Sequence, residues 1–263
     1  MRVLMGFSVL LALGAGLPVR ATAESLSCTA PEIIVTDGRL TQSTFPDSTT
    51  YWFGIYAQAN HSYSAEFVPS TDNYYNTTKI RIATLAVYGP NDTLQSCRGN
   101  SSVVVTQNSG YAPVIQKGGN GMGRRISFTA PSSGLYLICV TNLAGAGTYA
   151  FRAVDTTLIS VRWNTSGGYD TLWTLLNVSD MPITGTLYLL DMGGQVLTAV
   201  PLSISPGGRV AHTSATTDLN LPRNSAGIAM FSHNGPPDSI LAEAFLNGPT
   251  LTVPEKFESV PVH

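Results

Sequence analysis

Apolar side chains recur at every second position along most of this chain, in short runs broken by Gly, Pro, Asn and Ser. Tyr51, Phe53 and Ile55 alternate with Trp52, Gly54 and Tyr56. Leu85 and Val87 alternate with Ala86 and Tyr88 before Gly89-Pro90-Asn91-Asp92. Ile126 and Phe128 alternate with Ser127 and Thr129, and Pro131-Ser132-Ser133-Gly134 turns the chain. A period of two places successive side chains on opposite faces of a strand, so each run has one face for a core and one for something else. Leu135 to Val140 is apolar on both faces and predicts a central strand. No segment beyond the first residues sustains apolar spacing at the helical period. The pattern predicts an all-β chain built as sandwiches.

Composition agrees with that reading. Only 11% of residues are charged and Lys occurs three times, whereas helical surfaces draw on Glu, Lys and Arg. Ser, Thr, Asn and Tyr suit short strands and turns instead.

A boundary falls near Asp155-Thr156-Thr157, where one set of runs closes with Tyr149, Phe151 and Ala153 and another begins at Leu158. The second set carries the turns Asp191-Met192-Gly193-Gly194 and Ser205-Pro206-Gly207-Gly208. Residues 24–155 and 156–263 are each long enough for a core of their own.

The first residues set the expected compartment. Met1-Arg2, an apolar run from Val3 to Leu17, and Ala21-Thr22-Ala23 read as a signal peptide, residues 1–23, cut after Ala23. The run is shorter than the roughly 18–20 residues that span a bilayer. A secreted, extracellular or cell-surface address is expected, the periplasm being the other compartment open to such a chain. No membrane association is expected after cleavage. Loss of Arg2 and Arg20 lowers Lys+Arg from 14 to 12 against 16 Asp+Glu, and without a basic stripe no nucleic-acid partner is expected. In an oxidising compartment three cysteines predict one disulfide. Cys97 with Cys139 is the preferred pair; pairings with Cys28 remain open. No CxxC or CxxH spacing predicts a metal, and no cofactor is expected.

Two resemblances run along the chain. Tyr51-Trp52-Phe53, Ser62 to Glu66, Leu85 to Tyr88, Ile126 to Leu137 and Gly147 to Phe151 together resemble the bacterial pre-peptidase C-terminal domain, a jelly-roll module appended to secreted hydrolases. The resemblance covers about residues 28–155, though no peptidase precedes it. Calcium occurs in relatives, but Asp72-Asn73 and Asn91-Asp92 are weak substitutes for the acidic pair. Leu176 to Ser179, Gly185 to Leu189, Leu202 to Gly208 and Ile240 to Ala244 resemble an immunoglobulin-like module of exported bacterial proteins. The resemblances imply a jelly-roll-like β-sandwich followed by an immunoglobulin-like one.

Chemistry is sparse. Ser232-His233 with Asp238 is the best arrangement for nucleophilic catalysis among His61, His212, His233 and His263, yet strand neighbours point to opposite faces. Glu66 and Glu243 sit in apolar strands and are the candidates for a glycosidase-like hydrolase. The Gly-rich loop from Lys117 to Arg125 leads into a strand, whereas a phosphate cradle leads into a helix. Six Asn-x-Ser/Thr sequons, at Asn60, Asn76, Asn91, Asn100, Asn164 and Asn177, are not read as glycosylation in a chain so rich in Ser and Thr.

Tyr74 and Tyr75, flanked by Asn73 and Asn76, are the candidate ligand-binding residues, because aromatic rings beside amides stack on sugars or anchor partners. The expected function is therefore non-catalytic: adhesion, matrix or surface attachment through an extracellular carbohydrate or protein surface. An accessory targeting module for a separate enzyme is the remaining alternative.

Overall fold

Strands form where period two dominates the sequence. The structure, a computed structural model, describes residues 27–45, 49–69, 81–90, 103–108, 124–144, 146–215, 219, 221–250 and 252–259. Among them are seventeen strands and no α-helix.

The first nine are β1 (Glu32–Ile33), β2 (Thr41–Phe45), β3 (Thr50–Ala57), β4 (Ser62–Pro69), β5 (Arg81–Tyr88), β6 (Val103–Asn108), β7 (Arg124–Thr129), β8 (Gly134–Ala144) and β9 (Gly147–Asp155). They make a five-stranded sheet, β1-β3-β8-β5-β6, and a four-stranded sheet, β2-β9-β4-β7. Counted from β2, the eight strands follow jelly-roll order, crossing between the sheets at every step except the β5–β6 hairpin, and β1 adds a parallel edge to β3. β8 is central, as its two apolar faces require. Tyr136, Ile138 and Val140 enter the core between the sheets, while Leu135, Leu137 and Cys139 pack on the outside against Trp52 and Ala86. Across the core Phe53 stacks on Phe151 with ring centroids 4.1 Å apart.

The remaining strands are β10 (Leu158–Asn164), β11 (Asp170–Asn177), β12 (Ile183–Asp191), β13 (Val196–Ile204), β14 (Arg209–Thr213), β15 (Ala226–His233), β16 (Ile240–Asn247) and β17 (Thr252–Ser259). Their order is β13-β12-β15-β10-β17-β16-β11-β14. β17 is shared: Thr252 to Lys256 pair with β16, and Phe257 to Ser259 pair with β10. The sheet thus folds over on itself around Trp163, Trp173, Leu187, Leu189 and Phe231. The Asp191–Gly194 hairpin forms between β12 and β13. Ser205–Gly208 also turns the chain, Gly208 N donating to the Ser205 carbonyl and Gly207 taking a φ of 65°, but the expected hairpin there is corrected: β13 pairs with β12 and β14 with β11, at opposite edges. The chain is an all-β sandwich protein with two separate apolar cores.

The disulfide is a correction. Cys28, rather than Cys139, is the disulfide-bonded cysteine. Cys139 is a buried thiol with Sγ 3.9 Å from Thr141 Oγ1, so the expected Cys97–Cys139 bond is not formed. The cause is long-range. The segment before β1 folds across the outer face of the five-stranded sheet and packs Cys28 against the Trp52 cluster. Cys97 lies outside the described residues.

Candidate functional site

Tyr74, Tyr75, Asn73 and Asn76 lie outside the described residues, as do Asp72, Asn91-Asp92 and residues 117–123 of the Gly-rich loop. Arg125, at the end of that loop, is placed on β7.

The remaining candidates have definite surroundings. Glu66 is 3% exposed and faces away from the first core. Its Oε2 accepts from Arg152 Nε at 2.6 Å, strand β9 holding Arg152 directly opposite. Glu243 is an exposed residue of β16, in register with Thr174 and Lys256. The two carboxylates belong to different sandwiches. Ser232 donates to the Asn60 carbonyl, His233 Nδ1 accepts from Gly235 N at 3.1 Å, and Asp238 is exposed. The structure brings no Ser–His–Asp relay together from these three. Among the described residues no group of three or more His, Cys, Asp or Glu could hold a metal ion, and no helix is long and apolar enough to cross a membrane.

An exposed apolar platform lies on the outer face of the five-stranded sheet. Alternation along β3 sends Tyr51, Phe53, Ile55 and Ala57 into the core and Trp52, Gly54 and Tyr56 outward. Trp52 is covered by the strap carrying Cys28 and by Tyr88, whose ring centroid is 5.8 Å away. Tyr56 has no such cover and is 68% exposed. β1 runs alongside with Ile33 opposite Gly54, and a Cβ on Gly54 would lie 2.8 Å from Ile33 Cδ1. Glycine there lets the β1 edge lie flat on the sheet. Ile33 and Val35 face out beside Tyr56 at 47% and 57% exposure, and Leu135 pairs with Tyr56 from β8. The alternation in β3 marked Tyr56 as outward-facing; nothing local marked it as uncovered.

A second polar constellation lies at the seam between the sandwiches. Only Thr156 and Thr157 separate β9 from β10, and both are buried. Asp155 organises the junction. Its Oδ2 is 2.8 Å from His61 Nδ1, and its Oδ1 accepts from Thr157 N at 3.0 Å. The nearby Tyr63 hydroxyl accepts from Gln58 N at 2.8 Å; burial, then the charge of Asp155, pushes that phenol upward. Thr156 Oγ1 donates to Ser62 Oγ, and Ser62 N donates to Thr157 Oγ1. The second sandwich closes over this surface through Ser232 on Asn60 and Met181 Sδ, 3.3 Å from Arg125 Nη2. Burial lowers the Arg125 guanidinium, while Glu66 and Asp180 hold it up.

No protein-family model matches the chain, and no curated protein matches it. Similar solved structures include a fucolectin from striped bass serum, at 10% identity and a TM-score of 0.28, with 84% of this chain and 86% of that one covered. The extracellular region of zebrafish Gpr126/Adgrg6 matches at 11% identity and a TM-score of 0.27, covering 87% of this chain and 31% of that one. A glycosyl hydrolase family 2 member from Bacteroides cellulosilyticus matches at 9% identity and a TM-score of 0.22, covering 82% and 28%.

Proposed function

We propose that the chain is a secreted, non-catalytic binding protein that seats an extracellular carbohydrate on the platform of Ile33, Val35 and Tyr56. The exposed Tyr56 ring on a rigid sheet carries the reading. A phenol ring flanked by aliphatic side chains matches the C–H face of a pyranose, and its hydroxyl reaches water or a sugar hydroxyl at the rim. Placement on strands, rather than on a loop, costs little ordering on binding. The absence of charge among these three side chains favours a neutral sugar over an ionic ligand. The non-catalytic half of the proposal is supported by Glu66, whose carboxylate is engaged by Arg152, and by Glu243, whose register partners on the neighbouring strands are Thr174 and Lys256. The pre-peptidase C-terminal and immunoglobulin-like likenesses belong with this reading, since both are modules of exported proteins.

The test is a glycan and matrix-protein array probed with residues 24–263 and with Tyr56→Ala. A glycan signal that drops about ten- to a hundredfold in the variant, as loss of one stacked aromatic implies, supports the proposal. Binding confined to matrix proteins, or glycan binding indifferent to Tyr56, overturns it.

A further inference from the structure

The sheet of the second sandwich ends in two edge strands, β13 and β14. An edge strand presents unpaired N–H and C=O groups, a template on which another chain can pair. Proteins guard such edges by keeping them short, charging them or placing proline in them. β14 has five residues and carries Arg209. β13 has nine, Val196 to Ile204, and none is charged. Val196 and Leu197 at its start are exposed, as are Ala199, Pro201 and Ser203 along its outward face.

The hydrogen bonds of β12 fix which backbone groups of β13 are free. A strand residue directs its own N–H and C=O to one side, and successive residues alternate sides. Thr184 N donates to Oδ1 of Asn234, the residue after β15, at 2.9 Å, and the Thr184 carbonyl accepts from Asn234 N at 3.0 Å. Thr184 thus turns its backbone toward β15, and Thr186 and Tyr188 follow with Ser232 and Met230 opposite. Gly185, Leu187 and Leu189 therefore bond to β13, where Leu202, Val200 and Thr198 face them. Ala199, Pro201 and Ser203 direct their backbone groups the other way, to the open edge. Pro201, the middle one of the three, has no N–H to offer there. The β12–β13 ladder is irregular only between Leu189 and Leu190, so the edge runs regularly from Thr198 to Ile204 with Pro201 at its centre.

We propose that the β13 edge is a self-complementary surface for β13 of a second copy, and that Pro201 keeps it closed and the protein monomeric.

The fitting partner is a second copy because the strand suits itself. Two copies about a two-fold axis run antiparallel, and with no charge on β13 no register opposes like charges. The pairing would continue the sheet from one molecule into the next. Main chain prevents it. In an antiparallel pair each outward residue exchanges two hydrogen bonds with its opposite. At Pro201 one of the two is missing in each copy, and the ring stands where the hydrogen would point. An acceptor is then stranded in the middle of the ladder, away from water. The monomer loses no bond, because the nitrogen of Pro201 faces solvent, the position in which a strand tolerates proline.

The experiment is size-exclusion chromatography with light scattering on residues 24–263, with amide hydrogen exchange recorded alongside. The wild type should have the mass of one chain, with the Ala199 and Ser203 amides exchanging freely. Pro201→Thr supplies the missing N–H on a residue suited to strands. It should have the mass of two or more chains, and exchange at Ala199 and Ser203 should slow about tenfold, the worth of one net hydrogen bond. Adding Ala199→Lys to Pro201→Thr should restore the single chain, because lysines brought together on an edge repel. A wild type larger than one chain, a Pro201→Thr protein that stays at one chain, or one whose association leaves those two amides fast overturns the proposal. Should Pro201→Thr precipitate, the double variant must stay soluble. A double variant that associates or precipitates like the single one overturns the proposal equally.

Discussion

Glu66 and Arg152 face each other on neighbouring strands of one sheet, Oε2 to Nε 2.6 Å, with the carboxylate buried and the guanidinium 35% exposed. The pair is lopsided, and so are the consequences of breaking it. Arg152→Ala leaves a buried carboxylate short of a partner, whereas Glu66→Ala leaves an arginine that can turn to water. Arg152→Ala should cost about 3 kcal/mol, since removing one partner of a buried pair strands the other. Glu66→Ala should cost less than half of that. Urea unfolding of the two variants measures the difference, and equal costs would contradict the asymmetry.

Global stability should fall in acid with a sign set by His233. Its folded value, about 4, is below the ordinary 6.5, so the unfolded chain binds the proton more readily. The stabilisation is fully present above about pH 6.5 and is lost as the pH falls toward 4. The loss approaches about 3 kcal/mol below pH 4. Urea midpoints between pH 7 and 4 should slope downward in the wild type and flatten over that interval in His233→Gln.

Gly227→Ala should disable the second sandwich alone. A Cβ there would overlap the Leu190 carbonyl oxygen and stand 2.7 Å from Trp163 Nε1, which itself donates to that carbonyl at 2.9 Å. Backbone cannot yield as a flexible side chain can, so the cost should exceed the roughly 1–3 kcal/mol of ordinary overpacking. Thermal melts should show a lowered transition for residues 156–263 with the first core intact. A single unshifted melt would refute the expectation.

Cysteine mapping should follow the strap. A digest without reduction should place Cys28 in the cross-linked peptide, and Cys139 should react with an alkylating reagent only after denaturant exposes it. Rapid labelling of Cys139 in the native protein would contradict its burial.

The sequence determined the elements of this protein because they depend on nearest neighbours. Period two in β3 and β7, the double apolar face of β8 and the Gly-Gly turns each follow from local chemistry, and they specify strands and an all-β sandwich without reference to partners. Alternation also told Tyr56 apart from the core-facing residues beside it. It could not say what lies over an outward face, because cover comes from segments distant along the chain. Tertiary structure alone decided that the strap with Cys28 shields Trp52 and stops short of Tyr56. It also decided that Glu66 meets Arg152 across 86 residues, and that Ser232 donates to the Asn60 carbonyl from another sandwich. An outward side chain becomes platform or ion pair according to what docks against it, and docking is a property of the assembled surfaces.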